Sequence, residues 1–125
     1  MCDSVLATDV VFLLDTSSGI GKANFDKMKQ FVTKIVQTFD VDNQLSRVSV
    51  IAYDEFARFE IRFADFNTEE KLLERIQRLE YYAGKATRID LALAMASDYA
   101  FIDANGARLG VNKVNLFQAD KNAKK

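Results

Sequence analysis

The strongest constraint on the fold is a short apolar segment that ends in a carboxylate. Residues 9–15 read Asp-Val-Val-Phe-Leu-Leu-Asp, and a turn of small residues follows at 16–21. A continuous apolar run of this length is typical of a strand covered on both faces. An amphipathic helix follows, with one apolar stripe made by Phe25, Met28, Val32, Ile35, Val36 and Phe39. The sequence therefore opens with a predicted β-α unit of a mostly parallel sheet.

Two more strands are predicted in the middle of the chain. Residues 47–53 form the second strand and residues 56–63 the third. Apolar and charged side chains alternate in the third strand, as expected at the edge of a sheet. Only Asp54 and Glu55 connect the two strands, and so short a link predicts an antiparallel pair.

The remaining segments predict two helices and a last strand. Residues 67–70, Asn-Thr-Glu-Glu, offer a cap and first-turn acids for a helix whose apolar residues are Leu72, Leu73, Ile76 and Leu79. After a loop at 81–87, another helix is predicted, with Leu91, Met95 and Tyr99 near its inner face, and it is predicted to end at Asn105 and Gly106. The final strand covers residues 114–119 and ends at Asp120.

This element order predicts an α/β fold. It is a Rossmann-like, mostly parallel sheet with helices on both faces and one antiparallel edge strand. One domain covers residues 1–125, with residues 121–125 as a frayed tail. In such sheets ligands bind beyond the carboxyl ends of the strands. Asp15 and Ser17, the loop with Thr87, and Asp120 are all predicted to lie at that edge.

Composition excludes several classes of function. The chain has no histidine and a single cysteine, Cys2, which rules out a Ser-His-Asp triad, a histidine-ligated zinc site and an internal disulfide. A net charge of -1 provides no basic surface for nucleic acid. No apolar run approaches the roughly 20 residues that cross a bilayer, and no signal peptide pattern follows Met1. These features favour a non-enzymatic binding module that neither binds nucleic acid nor inserts into membranes.

Several segments together resemble the von Willebrand factor type A (vWA) family. Residues 10–21, Val-Val-Phe-Leu-Leu-Asp-Thr-Ser-Ser-Gly-Ile-Gly, and residues 24–32 resemble the opening of that domain. Residues 47–54 resemble its second strand, residues 84–94 its Thr loop and following helix, and residues 110–114 the approach to its fourth strand. The resemblance implies a secreted, extracellular module of an adhesion or matrix protein that binds a protein ligand.

The resemblance also implies the family's metal-ion-dependent adhesion site (MIDAS). Asp15 and Ser17 match the first two members of its Asp-x-Ser-x-Ser motif, Thr87 matches the loop Thr, and Asp120 matches the Asp that ends the fourth strand. All four supply hard oxygen ligands, which suit Mg²⁺, Mn²⁺ or Ca²⁺. An acidic side chain of the partner would complete the coordination. Gly19 replaces the second Ser of the motif, which predicts low metal affinity.

The sequence departs from the family pattern at its end as well. Lys121 stands where the family usually has Gly. The family continues with two more parallel strands, so the chain is predicted to be truncated after its fourth strand. That strand would then be an exposed edge and promote self-association.

Two other interpretations of the sequence stay open. In the first, the chain is a metal-free structural or interaction fragment of a vWA protein, which the substitution at Gly19 favours. In the second, residues 17–23 resemble the end of the glycine motif of short-chain dehydrogenases, and Tyr81 and Lys85 have that family's Tyr-x-x-x-Lys spacing. Against the second, Asp15 occupies the place of the motif's first Gly, where it would put a negative charge beside a pyrophosphate.

Overall fold

In the computed structural model, which describes residues 7–100, 108 and 112–118, the elements follow one another in the predicted order. They are β1 (Thr8–Asp15), α1 (Lys22–Val36), β2 (Ser46–Tyr53), β3 (Ala57–Ile61), α2 (Glu69–Gln77), α3 (Ile89–Met95), a π-helical turn (Ala96–Ala100) and β4 (Asn112–Gln118). The tail at 121–125 and the predicted helix end at Asn105 and Gly106 lie outside the described residues.

The four strands form one mixed sheet in the order β3-β2-β1-β4. β1 pairs in parallel with β2, from Thr8 opposite Ser46 to Asp15 opposite Tyr53, and it also pairs in parallel with β4. β3 runs antiparallel to β2, as its short connection predicts. The predicted fold class is therefore confirmed. Within the described part β4 pairs with β1 alone, and self-association through it stays a prediction.

Helices cover both faces of the sheet. Consecutive side chains of β1 point to opposite faces, and both sets are apolar. Val10, Phe12 and Leu14 pack in one cluster with α1 and α2, whereas Val11 and Leu13 pack in the other with α3. All five are at most 2% exposed. Burying a side chain of this size contributes about 1.5–3 kcal/mol, so β1 is the centre of the core. α1 buries Phe25, Met28, Val32 and Val36, which share one helix face.

The buried face of α3 differs from the prediction. Ala92 and Ala96 are buried at 0% and 1% exposure, whereas Leu91 and Met95 are only partly buried. The side chain of Tyr99 lies outside the described residues. On this face of the sheet Tyr53 and Phe63 are fully buried in the same cluster. Because these large rings already fill the layer, the fully buried contacts of α3 are the methyl groups of Ala92 and Ala96, and Met95 is partly buried against the same cluster. Leu91 and Met95 also line a shallow apolar groove with Phe56 and Ala57.

α2 begins as predicted and ends earlier. The Thr68 side chain accepts a hydrogen bond from the backbone N–H of Lys71 at 3.3 Å. The helix ends at Gln77, and Leu79 follows it as a buried loop residue. No helix among the described residues is long and apolar enough to cross a membrane.

Candidate functional site

Buried polar residues gather where β1 and β2 end. Asp15, Thr16 and Ser17 are 2%, 0% and 4% exposed, and Asp54, directly after β2, is 1% exposed. The parallel register of the two strands places their carboxyl ends side by side. This is the edge at which the sequence predicts a ligand site.

The carboxylate of Asp15 has one hydrogen-bond donor in the described part of the chain. The backbone N–H of Ser17 donates to Oδ1 at 2.8 Å, which holds both residues in one tight turn. No ion pair of the described residues includes Asp15. Burial of a carboxylate is unfavourable unless a positive charge or several donors balance it. Asp15 is therefore a suitable ligand for a cation.

Asp54 is a second buried carboxylate at this edge, and it is balanced within the protein. It accepts hydrogen bonds from Thr16 Oγ1 at 3.0 Å, the Phe56 N–H at 3.1 Å and Arg58 Nη2 at 2.9 Å. Burial by itself raises the pKa of Asp54, but the bonds from Phe56, Arg58 and Thr16 outweigh it and hold the pKa below its usual value. The hydrogen bond from Thr16 to Asp54 therefore connects the end of β2 to the turn after β1.

The sequence interpretation missed this role of Asp54 and treated the residue only as part of a connection. A usable signal was present, because Asp54 follows a strand that aligns with the one ending in Asp15.

The loop that carries Thr87 is tied to both strand ends by backbone hydrogen bonds. Gly84 donates to the Thr16 carbonyl at 3.0 Å and accepts from the Ser18 N–H at 2.7 Å. Further along, the Arg88 N–H donates to the Asp54 carbonyl at 2.8 Å. A Cβ at Gly84 would lie 2.4 Å from the Asp54 Cβ, so only glycine allows this approach. The tertiary structure thus brings a distant loop to the Asp15 edge.

The predicted ligands are brought together only in part. Asp15 and Ser17 share one turn, while Thr87 lies on the anchored loop with an exposed side chain. No hydrogen bond among the described residues joins Thr87 to either. Asp120 lies outside the described residues. Between residues 7 and 100, at 108 and over 112–118, no group of three or more His, Cys, Asp or Glu is placed to hold a metal. Of the predicted ligands, the described residues therefore supply one carboxylate, that of Asp15, and the hydroxyls of Ser17 and Thr87.

Tyr81 closes the turn between β1 and α1. Its hydroxyl donates to the Ser17 carbonyl at 2.8 Å and accepts from the Gly21 N–H at 3.0 Å. Gly21 has φ of 85°, a conformation that favours glycine. The residues around Tyr81 and Lys85 are not helical. The hydrogen bonds of the Tyr81 hydroxyl therefore give this residue a structural role in the turn.

Gly19, which stands where the adhesion motif has its second Ser, is exposed on the surface of this turn. A Cβ built on it meets nothing within 4 Å. The turn therefore has room for the serine that the motif usually carries at this position.

Comparison with known proteins agrees with this geometry. The model of the von Willebrand factor type A domain matches residues 9–125. Human matrilin-1 is 33% identical over 114 residues, covering 91% of this chain and 23% of that protein. Rat von Willebrand factor is 31% identical over 103 residues, covering 82% and 24% respectively. The chain thus spans about a quarter of the length of these curated relatives.

Solved structures show the same fold. Proximal thread matrix protein 1 from the mussel byssus superposes with a TM-score of 0.84 at 24% identity, over 92% of this chain and 31% of that one. Another structure of that protein, with a zinc-occupied MIDAS motif, gives a TM-score of 0.83 at 23% identity over 91% of this chain and 31% of that one. Together with the family match, the mixed sheet and the polar edge after β1 show that this chain belongs to the von Willebrand factor type A domain family.

Proposed function

We propose that this chain is a non-enzymatic, protein-binding module of the extracellular adhesion type. It holds a divalent cation at Asp15 and binds an acidic group of a partner protein through that cation. The observation that carries the proposal is the buried Asp15 carboxylate, which has a single backbone donor and no basic partner among the described residues. Matrilin-1, von Willebrand factor and a collagen chain, the relatives of this chain, support a role in the extracellular matrix.

The residues at the edge suit a hard divalent cation. Asp15 provides the charge, and the hydroxyl of Ser17, which makes no hydrogen bond to the described residues, lies in the same turn. Thr87 on the anchored loop and Asp120 complete the proposed ligand set. Oxygen ligands of this kind favour Mg²⁺, with Mn²⁺ or Ca²⁺ as substitutes. The zinc-occupied MIDAS of the mussel protein supports a cation at this place in the fold, although its choice of ion is not carried over.

The cation would supply the positive charge to which a partner carboxylate binds. The chain's own residues position that charge. The Ser17 N–H orients the Asp15 carboxylate, Tyr81 holds the turn in place, and the Gly84 contacts bring the Thr87 loop alongside. With Gly19 in place of a serine, one hydroxyl ligand is lost, and we expect weak binding that the partner's carboxylate strengthens.

Thermal unfolding of the purified chain in EDTA and in excess Mg²⁺ or Mn²⁺ tests the proposal. A ligand at 100 times its dissociation constant stabilises by about 2.7 kcal/mol, a shift of several degrees for a domain of this size. We expect this shift in the wild type and its loss in Asp15→Asn. Asp26→Asn is the matched control, because Asp26 pairs with Lys22 on the outer surface of α1.

Two results would contradict the cation site. An equal Mg²⁺ shift in wild type and Asp15→Asn would place the bound ion elsewhere. A cooperative transition that no cation shifts would favour the metal-free structural module instead.

A further inference from the structure

The hydroxyl of Tyr53 is buried without a hydrogen-bonding partner. Tyr53 is 0% exposed, and its oxygen is one of two buried side-chain polar atoms in the described residues that lack a partner. Buried polar groups nearly always find a protein or water partner, since an unmade hydrogen bond destabilises the fold. A phenylalanine would fill the same apolar layer without that cost. The presence of tyrosine rather than phenylalanine at this position therefore needs a physical reason.

Tyr53 lies beside the proposed cation ligand. It is the register partner of Asp15 in the parallel pair of β1 and β2. Side chains alternate between faces along a strand, so Tyr53 and Asp15 share the face on which Leu13 and Ile51 are buried. Burial raises the pKa of Tyr53, and the negative charge of Asp15 raises it further. The phenol is thus within electrostatic reach of the carboxylate.

We propose that Tyr53 is a positioning residue for the cation site, whose O–H donates to the Asp15 carboxylate, directly or through one water, when a cation is bound. This inference rests on the proposed function. Carboxylates that bind metals are themselves held by hydrogen bonds from a surrounding layer of residues, which fix their orientation. Among the described residues Asp15 has one such donor, the Ser17 N–H, and an ionised carboxylate accepts several. The phenol O–H is a donor that no other described residue uses.

The decisive variant is Tyr53→Phe, which removes only the hydroxyl. If the hydroxyl acts on the cation site, the melting temperature in EDTA stays equal to the wild type or rises, while Mg²⁺ binds about ten- to a hundredfold more weakly. Tyr82→Phe is the matched control, because the Tyr82 hydroxyl bonds Glu60 instead, at 3.0 Å. We expect Tyr82→Phe to bind Mg²⁺ like the wild type.

The outcomes separate this inference from the function on which it rests. A wild type that binds no cation overturns both. A wild type that binds Mg²⁺, with an equal dissociation constant in Tyr53→Phe, overturns the positioning role alone. A Tyr53→Phe variant that melts lower in EDTA but binds Mg²⁺ unchanged shows a purely structural hydroxyl and also overturns it.

A second measurement needs no change at Tyr53. With ¹³Cζ-labelled tyrosine, the NMR signal of Tyr53 reports on hydrogen bonding at its hydroxyl. We expect this signal to move on Mg²⁺ addition in the wild type and to stay in place in Asp15→Asn. A Tyr53 signal that does not move while Mg²⁺ raises the wild-type melting temperature would overturn the inference.

Discussion

A buried carboxylate lies at each end of β1, and the two differ in the groups that balance their negative charge. Asp9, at the amino end, is 0% exposed, and Asp15, at the carboxyl end, is 2% exposed. Arg108 donates to Asp9 through Nε at 3.1 Å, Nη2 at 2.9 Å and its backbone N–H at 2.8 Å. Asp15 accepts one backbone N–H and has no basic partner in the described part of the chain. Among the described residues, the Asp9 carboxylate thus has a basic partner and the Asp15 carboxylate has none.

The same arginine also connects the strands at the amino end of the sheet. Arg108 donates to the carbonyls of Thr8 and Leu45, which ties the amino ends of β1 and β2 together. No basic side chain of the described residues pairs with Asp15, although β1 is as deeply buried there. Departures from local balance of this kind are expected where a protein binds something.

The largest expected effect comes from removing the balancing charge at the amino end. Arg108→Ala removes the guanidinium that forms an ion pair with the buried Asp9 carboxylate, and breaking such a pair costs about 3–5 kcal/mol. Urea unfolding monitored by circular dichroism measures this loss. Asp15→Asn is the counterpart at the other end. In EDTA it removes an unbalanced buried charge, so we expect no loss of stability.

The two variants together test whether the Asp15 charge is balanced within the protein. If Asp15→Asn in EDTA is destabilised as much as Arg108→Ala, the carboxyl end is also structurally balanced, and Asp15 is not held for a cation.

An intermediate effect is expected at Asp54, the balanced carboxylate beside Asp15. Replacing it with Asn weakens hydrogen bonds to a charged acceptor, and we expect a loss of about 1.5–3 kcal/mol at pH 7. Because the pKa of Asp54 is lowered in the folded state, its contribution is fully present above the unfolded pKa of about 3.9. It is lost as the pH falls through the lower folded pKa.

Unfolding of wild type and Asp54→Asn between pH 7 and pH 2 measures this dependence. The difference in stability between them should shrink as the solution becomes acidic. A difference that is constant with pH would mean that the charge of Asp54 is not what the surrounding donors stabilise.

The smallest effect on stability is expected at Gly19. A Cβ there meets no atom within 4 Å, so Gly19→Ser should change the free energy of unfolding by less than about 0.5 kcal/mol. The added hydroxyl restores the adhesion motif, and we expect tighter Mg²⁺ binding by calorimetry. Gly19→Ala is the control, since it adds the Cβ without the oxygen. Equal Mg²⁺ affinity in Gly19→Ser and Gly19→Ala would show that this position does not reach the cation.

Much of the fold was predictable because it depends on local patterns. The apolar run of β1 predicted a strand buried on both faces, and the stripe with Phe25, Met28 and Val32 predicted α1. The alternating third strand was recognised at the sheet edge, although Ala57–Ile61 is shorter than predicted. The face of α3 was predicted only in part. Met95 packs against the cluster on the sheet as predicted, but it is partly buried, and the fully buried positions of the helix are Ala92 and Ala96.

The candidate site was predictable in one part only. The Asp-x-Ser turn has a local signature, and Asp15 and Ser17 are found together there. Arg108 and Tyr81 gave no such signal, because their partners, Asp9 and Ser17, lie 99 and 64 residues away along the chain.

Sequence alone is enough to predict the order of the strands and helices, the vWA family and the turn that carries Asp15. These follow from side-chain periodicity and short motifs, which act over a few residues. The tertiary structure alone decided which buried charges are balanced. Arg108 pairs with Asp9 and Arg58 pairs with Asp54, whereas no basic side chain among the described residues pairs with Asp15. Charge balance depends on distances across the fold, and those distances are set by packing rather than by position along the chain.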